Sequence, residues 1–362
     1  PAAARIAYGG HAAKVNHVAL SRVNIVASAD DDGEVHLWQW DPWTNTHRMR
    51  QKLERVPREQ IAHHGSVRAV AFTPFGDQLA TVGDDGAVRV WHTQNGKLAR
   101  QFKVPEGVAA RSVAFSGDGT RFVVGCSDHR ARVWLVESSD DNPELTLGDD
   151  VAGAQPIEAV TFYDRGSGAN VFLAAQRFLD GPQRPASAEW TAWATNSATP
   201  LFHWRTDGAD LHRYGVTSHE RQATLGGVAA SGDSAWLAAA GPNQFFTLWH
   251  ADAGRLMLQR RPSKPAEGEQ RTTSVAFNRD GRRLAVASDR EVRLWDWQID
   301  GQQSDDPAVL FAFSQFPGDI AAITFSQDEQ FFAVASGHEV RLYAATAAGQ
   351  KLLPMSDDSV NR

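Results

Sequence analysis

One aromatic position returns seven times along this chain, and that recurrence limits the possible folds more than any other feature. Trp38, Trp91, Trp134, Trp193, Trp249, Trp295 and Tyr343 each end a short apolar strand, at separations of 53, 43, 59, 56, 46 and 48 residues. Six of the twelve tryptophans occupy this single position. A repeat of about fifty residues points to a ring or a stack of equivalent units rather than to one continuous core.

Each unit opens on an apolar strand: Val15–Leu20, Val67–Phe72, Ala110–Phe115, Ile157–Phe162, Leu225–Ala230, Thr272–Phe277 and Ile320–Phe325. Turns such as Thr73-Pro74-Phe75-Gly76-Asp77 and Ser116-Gly117-Asp118-Gly119 follow, rich in residues that accept tight hairpin geometry. A second apolar strand then leads through another turn to the strand ending in the aromatic. No ten-residue stretch has helical period. A lone sheet of three or four strands has two apolar faces and cannot bury both. Packing the sheets face to face around a ring buries them and leaves only short edges. The expected fold is therefore all-β: a single seven-bladed β-propeller over residues 1–362, with four-stranded antiparallel blades around a central channel.

The unit resembles the WD40 repeat, which pairs a Gly-His before the first strand with a Trp-Asp after the third. Gly10-His11 is followed by Val15, Val18, Leu20, Ser28, Asp32-Gly33 and Trp38; after His63, Val67, Val70 and Phe72 stand at identical offsets, and Thr81, Asp85-Gly86 and Trp91 one residue further on. The resemblance implies a buried hydrogen-bond relay of His11, Ser28, Asp32 and Trp38 in blade 1, and of His63, Thr81, Asp85 and Trp91 in blade 2. Such a His–Asp pair ties strands together rather than performing catalysis, since buried polar groups need partners. Blade 3 keeps Asp128 and Trp134 but has Glu106 at the histidine position, blade 6 keeps Trp295-Asp296, and blades 4, 5 and 7 keep only the apolar frame. In this family the N-terminus commonly supplies the last blade's outer strand, which places residues 4–8 there; Lys351-Leu352-Leu353 is the other candidate.

Loops entering a blade, and those between its second and third strands, share one face, the top. Three insertions fall there: Arg177–Glu189, Arg205–Thr224 and Pro262–Arg271. Long loops often carry function, and His212, Arg213, Tyr214, His219 and Arg271 are of types favoured at binding hot spots. A bottom-face insertion, Gln39–Arg58, holds Trp40, Trp43 and a basic run interleaved with acids, read as a surface excursion. The channel mouth is the third candidate. The residue after each first-strand anchor is Asn16, Arg68, Arg111, Glu158, Gly226, Thr273 or Ala321. Neighbouring Arg68 and Arg111 suit a carboxylate or phosphate, with Glu158 beside them. The recurring Arg89, Arg132, Arg293 and Arg341, two places before the aromatic, are read as structural.

A net charge of −7 argues against a nucleic-acid partner. Lone Cys126 excludes an internal disulfide framework and a four-cysteine zinc site. There is no apolar run long enough to span a bilayer, and no phosphate loop, zinc-protease helix or nucleophile elbow. The expectation is a non-catalytic, cytoplasmic scaffold or sensor that needs no cofactor and holds a protein, peptide or small ligand. The alternative is a propeller hydrolase or lyase acting in the channel. Abundant Ala and Arg and decayed repeats suggest a bacterial propeller. Pro1 fits a piece of a longer multidomain protein, whose remainder would then be a further possible partner.

Overall fold

The computed structural model describes residues 6–41, 46–52, 62–138, 140–148, 154–164, 170–178, 187–197, 199–207, 227–232, 235–240, 246–250, 255–260, 272–296, 308–314, 316–326 and 331–345. They form seven four-stranded antiparallel sheets arranged as a seven-bladed β-propeller. The first strands are Val15–Leu20, Val67–Phe72, Ala110–Phe115, Ala154–Asp164, Gly227–Ala230, Thr272–Phe277 and Ile320–Phe325. Blade 7 takes its outer strand from the start of the chain: Ile6–Tyr8 pairs antiparallel with Glu339–Ala344. Residues 351–353, the other candidate for that slot, lie outside the described residues.

The repeated aromatic has one structural address. Trp38, Trp91, Trp134, Trp193, Trp249, Trp295 and Tyr343 each pair across to an apolar residue of the second strand, namely Val26, Leu79, Phe122, Phe172, Leu237, Leu284 and Phe332. Where both partners are aromatic the rings stack, as for Phe122 and Trp134 at 5.5 Å between centroids. The core is not one mass but a set of clusters, each shared by two adjacent blades. One joins Val90 and Phe102 of blade 2 to Phe122 and Trp134 of blade 3; another joins Leu342 of blade 7 to Val26 and Trp38 of blade 1. Burial on this scale, about 25 cal/mol per Å² of apolar surface, exists only while neighbours are docked.

Three expected insertions are partly strand; Arg205–Thr224 opens on the last residues of the strand Pro200–Asp207. Gln39–Arg58 contains the fourth strand of blade 1, Thr46–Lys52, paired along Val35–Asp41. Arg177–Glu189 includes the ends of two paired strands, Asn170–Phe178 and Ser187–Ala194. Blade 4 has longer strands than its neighbours, so a repeat template of six-residue strands reads their ends as loop.

In blade 2 the relay is continuous. His63 Nδ1–H donates to Asp85 at 2.8 Å, Thr81 Oγ1 bonds His63 Nε2 at 2.7 Å, and Trp91 Nε1–H donates to Thr81 at 2.9 Å. Arg89 donates to the second Asp85 oxygen at 2.8 Å. Burial opposes the Asp85 charge, but the bonds from His63 and Arg89 outweigh it and hold the carboxyl far below its usual range.

Blade 1 differs from expectation. His11 bonds Ser28 through Nε2 at 2.7 Å, but its Nδ1–H donates to Asp30 at 2.8 Å, and not to Asp32. Asp32 is exposed, and its backbone N–H donates to Asp30. The reason lies at the end of the second strand, where Val15 faces Asp30 and Val67 faces Gly83. A Cβ on Gly83 would lie 3.1 Å from His63 Nδ1. Glycine there leaves room for Asp85 to reach the ring from the turn; an aspartate there supplies the carboxylate itself. Trp38 stacks on Tyr8 at 5.0 Å. Tyr8, on the closing strand, donates through its hydroxyl to His36 Nδ1 at 2.9 Å, and His36 lies flat on His11 at 4.0 Å. The closing strand is thereby tied into the relay of blade 1.

The recurrent arginines are ion-paired to an acid just before them: Arg89 to Asp85, Arg132 to Asp128, Arg293 to Glu291 and Arg341 to Glu339. In blade 3 this pair stands where blade 2 has its histidine relay.

Asp30→Ala and Asp85→Ala, which strand a buried histidine, are expected to cost about 3 kcal/mol each in urea unfolding, whereas Asp32→Ala stays within about 0.5 kcal/mol. Equal losses at positions 30 and 32 would contradict this assignment. Tyr8→Phe, which deletes only the hydroxyl tie, is expected to cost about 1 kcal/mol.

Candidate binding site at the channel mouth

The first strands carry a shared irregularity. In blades 1, 2, 3, 4, 6 and 7 the pairing with the second strand skips one residue near the top: Asn16, Arg68, Arg111, Glu158, Thr273 and Ala321. Each is the extra residue of a β-bulge, a device that re-aims a side chain without disturbing the strand beyond it. All six line one central cavity of about 430 Å³, joined in blade 5 by Gly227; Gly226 lies outside the described residues.

Arg68, Arg111 and Glu158 are thus brought together on neighbouring blades. Arg68 is held by Asp84, its Nε donating at 2.9 Å, and this hydrogen bond raises its pKa. Arg111 has no ion pair among the described residues, and its Nε is buried without a hydrogen-bond partner. Asn16 donates to Asp31 and Ser66 at 2.8 Å each, stapling blade 1 to blade 2 at the rim. The top-rim candidates His212, Arg213, Tyr214, His219 and Arg271 lie outside the described residues.

Sequence reading missed His17, which follows the bulge on the channel wall and accepts the Val70 N–H through Nδ1 at 3.5 Å. Burial pushes its pKa down to about 4, so the ring is neutral at pH 7. The signal was its place beside Asn16 in an otherwise apolar strand. Cys126 stands where blades 1 and 2 have Asp30 and Gly83; burial raises its thiol to about 11, which leaves it unreactive. The histidines of both relays have fully buried side chains and do not line the cavity.

Four segments match the model of the family described as WD domain, G-beta repeat: residues 5–39, 55–92, 96–134 and 266–296. These fall on blades 1, 2, 3 and 6; blades 4 and 5 keep the terminal Trp but lie outside the matched segments. These four segments are WD40 repeats within the seven-bladed propeller. Telomerase protein component 1 of Mus musculus is 25% identical over 80% of this chain, which spans 10% of that protein. The guanine nucleotide-binding protein subunit beta of Nicotiana tabacum is 28% identical over 34% of the chain and 32% of its own length. F-box/WD repeat-containing protein mec-15 of Caenorhabditis elegans is 29% identical over 36% of the chain and 32% of its own length. The chain thus spans a third or less of these relatives. All three are eukaryotic and lend no support to a bacterial origin.

A histidine whose folded pKa is lowered stabilises fully above its unfolded value and progressively less as pH falls. For His17 that window runs from about 6.5 down to about 4. Urea unfolding across it is expected to show falling stability, with His17 contributing no more than about 3 kcal/mol. His17→Asn, which keeps an acceptor for Val70, is expected to flatten that slope. An unchanged slope would mean that His17 is not the group responsible.

Proposed function

We propose that this propeller is a non-catalytic interaction scaffold that holds a protein or peptide partner at its top face and channel mouth. The observation that carries this reading is the convergence of six bulged residues on one polar cavity. A fold that needed only to close its ring has no use for a re-aimed side chain at the same height in six of its blades. The WD40 repeats support the same reading, since WD40 propellers mostly mediate interactions, and one relative is named as a subunit of a larger assembly. The partner is either a separate protein or another part of a longer chain, in a cytoplasmic sensing or signalling role. Catalysis by the His–Asp pairs is disfavoured by position. Both histidines are sealed inside their blades, beyond the reach of anything in the channel.

Affinity capture from source lysate, read by mass spectrometry, tests which face is used. Lys14 and Arg290 are exposed at the top; Arg22 is exposed in a bottom hairpin. The double variant Lys14→Glu/Arg290→Glu is expected to lose captured protein at least tenfold, while Arg22→Glu keeps it. Loss with the bottom variant alone would place the interface on the other face. Melting temperatures of both variants serve as the folding control.

A further inference from the structure

Among the described residues, six formally charged side chains line the cavity, and their signs are segregated around the ring. Lys14, Arg68 and Arg111 come from blades 1, 2 and 3; Glu158, Asp289 and Asp319 come from blades 4, 6 and 7. One arc of the mouth is cationic and the opposite arc acidic. Among the described residues, blade 5 contributes Gly227 and Val228 to the lining.

The cationic arc is only partly neutralised from within, by Asp84 on Arg68 and by Asp31 near Arg68 and Lys14. Arg68 is committed to Asp84, but Arg111 has no ion pair among the described residues, and its Nε is buried with nothing to donate to. A buried guanidinium nitrogen left unmatched carries a desolvation penalty that a bound acceptor would remove. Lys14 is exposed at the rim of the same arc. Across the channel, the pair between Asp319 and Arg290 is long, at 3.6 Å, with both side chains more than two-thirds exposed. Such a pair exchanges readily for another cation.

A guanidinium fork matches a carboxylate in two parallel bonds. A compact dianion such as phosphate would meet three carboxylates on the facing arc, and a purely cationic ligand would meet the arginines. A ligand carrying both charges satisfies both arcs. We propose that the channel mouth is a receptor for a zwitterionic ligand, its carboxylate seated on Arg111 beside Lys14 and its cationic group turned toward Asp289 and Asp319. The cavity, at about 430 Å³, falls in the range of small-ligand pockets and accommodates a free amino acid or one stretch of mixed-charge peptide. This proposal rests on the mouth being the binding surface and names the chemistry it selects.

Titration calorimetry at low salt tests it with four probes: acetyl-Glu-Gly-Gly-Lys-amide, its Gln-for-Lys and Gln-for-Glu analogues, and free glutamine. The mixed-charge peptide or glutamine is expected to bind at least tenfold more tightly than either singly charged analogue. Preference for the peptide identifies a partner segment as the source, and preference for glutamine identifies a small metabolite; either supports the proposal. Arg111→Gln is expected to weaken that binding at least tenfold with an unchanged melting temperature, and Arg111→Lys to recover part of it. Asp289→Asn is expected to weaken the mixed-charge probe but not the anionic analogue. Equal affinity for the anionic analogue, no binding by any probe, or undiminished binding by Arg111→Gln would overturn the proposal. If Arg111→Gln still captures the partners of the top rim while no probe binds, the zwitterion site fails and the scaffold reading stands.

Discussion

No blade of this ring can bury its own apolar surface, and that dependence governs the rest of the structure. Phe102 of blade 2 lies against Phe122 and Trp134 of blade 3, and Leu342 of blade 7 lies in one cluster with Val26 of blade 1. Each cluster is shared by two blades, and closing the ring supplies the one that joins blade 7 to blade 1. Closure here uses a strand of three residues, Ile6–Tyr8, which offers few ladder bonds. The Tyr8 ring compensates: it stacks on Trp38 and bonds His36, so the start of the chain is fastened to blade 1 as well as to blade 7.

The relay and the arginine pairs solve one problem in two ways. In blades 1, 2 and 3 the chain turns tightly at the top between the second and third strands, and the turn must stay joined to the chain entering that blade. In blade 2 a buried histidine reaches from the incoming loop to the turn aspartate. In blade 3 Arg132 reaches Asp128 from within the sheet, and the incoming loop is held instead by Ser127, whose hydroxyl accepts the Ala109 N–H at 2.8 Å. The relay can therefore decay along the chain without loss of the fold, provided some charge or hydroxyl takes its place.

What could be read from the sequence follows the same division. The seven aromatics were legible because each has one fixed partner on the second strand, so their spacing survives large changes in loop length. The channel residues were legible as an offset from the strand anchor, but the bulge that turns them inward was not, because one extra residue leaves no mark on an apolar pattern. Asp32 was assigned to the relay because it aligns with Asp85. The alignment hid that Asp30 and Gly83 differ, and that difference decides which carboxylate reaches the imidazole. In blades 1 and 4, strands lying beyond the template were mistaken for insertions, since six-residue strands were taken as the standard.

The bulges explain how one frame tolerates a variable mouth. A residue in the regular ladder faces its own sheet's neighbours, and changing it disturbs a shared cluster. The extra residue of a bulge has no partner opposite it, so its side chain is released from the alternation that binds Val15, Val67 and Ala110 to the core. At that released position the chain carries Asn, Arg, Arg, Glu, Thr and Ala. Asn16 is spent on holding blades 1 and 2 together, and Arg68 is spent on Asp84. Arg111 stands at the same height with its Nε buried and unmatched, and no strand, turn or relay accounts for it. Arg111 Nε is not alone among the buried polar atoms in lacking a hydrogen bond, but it is the one carried by a charged side chain that lines the channel, where an acceptor from outside would meet it.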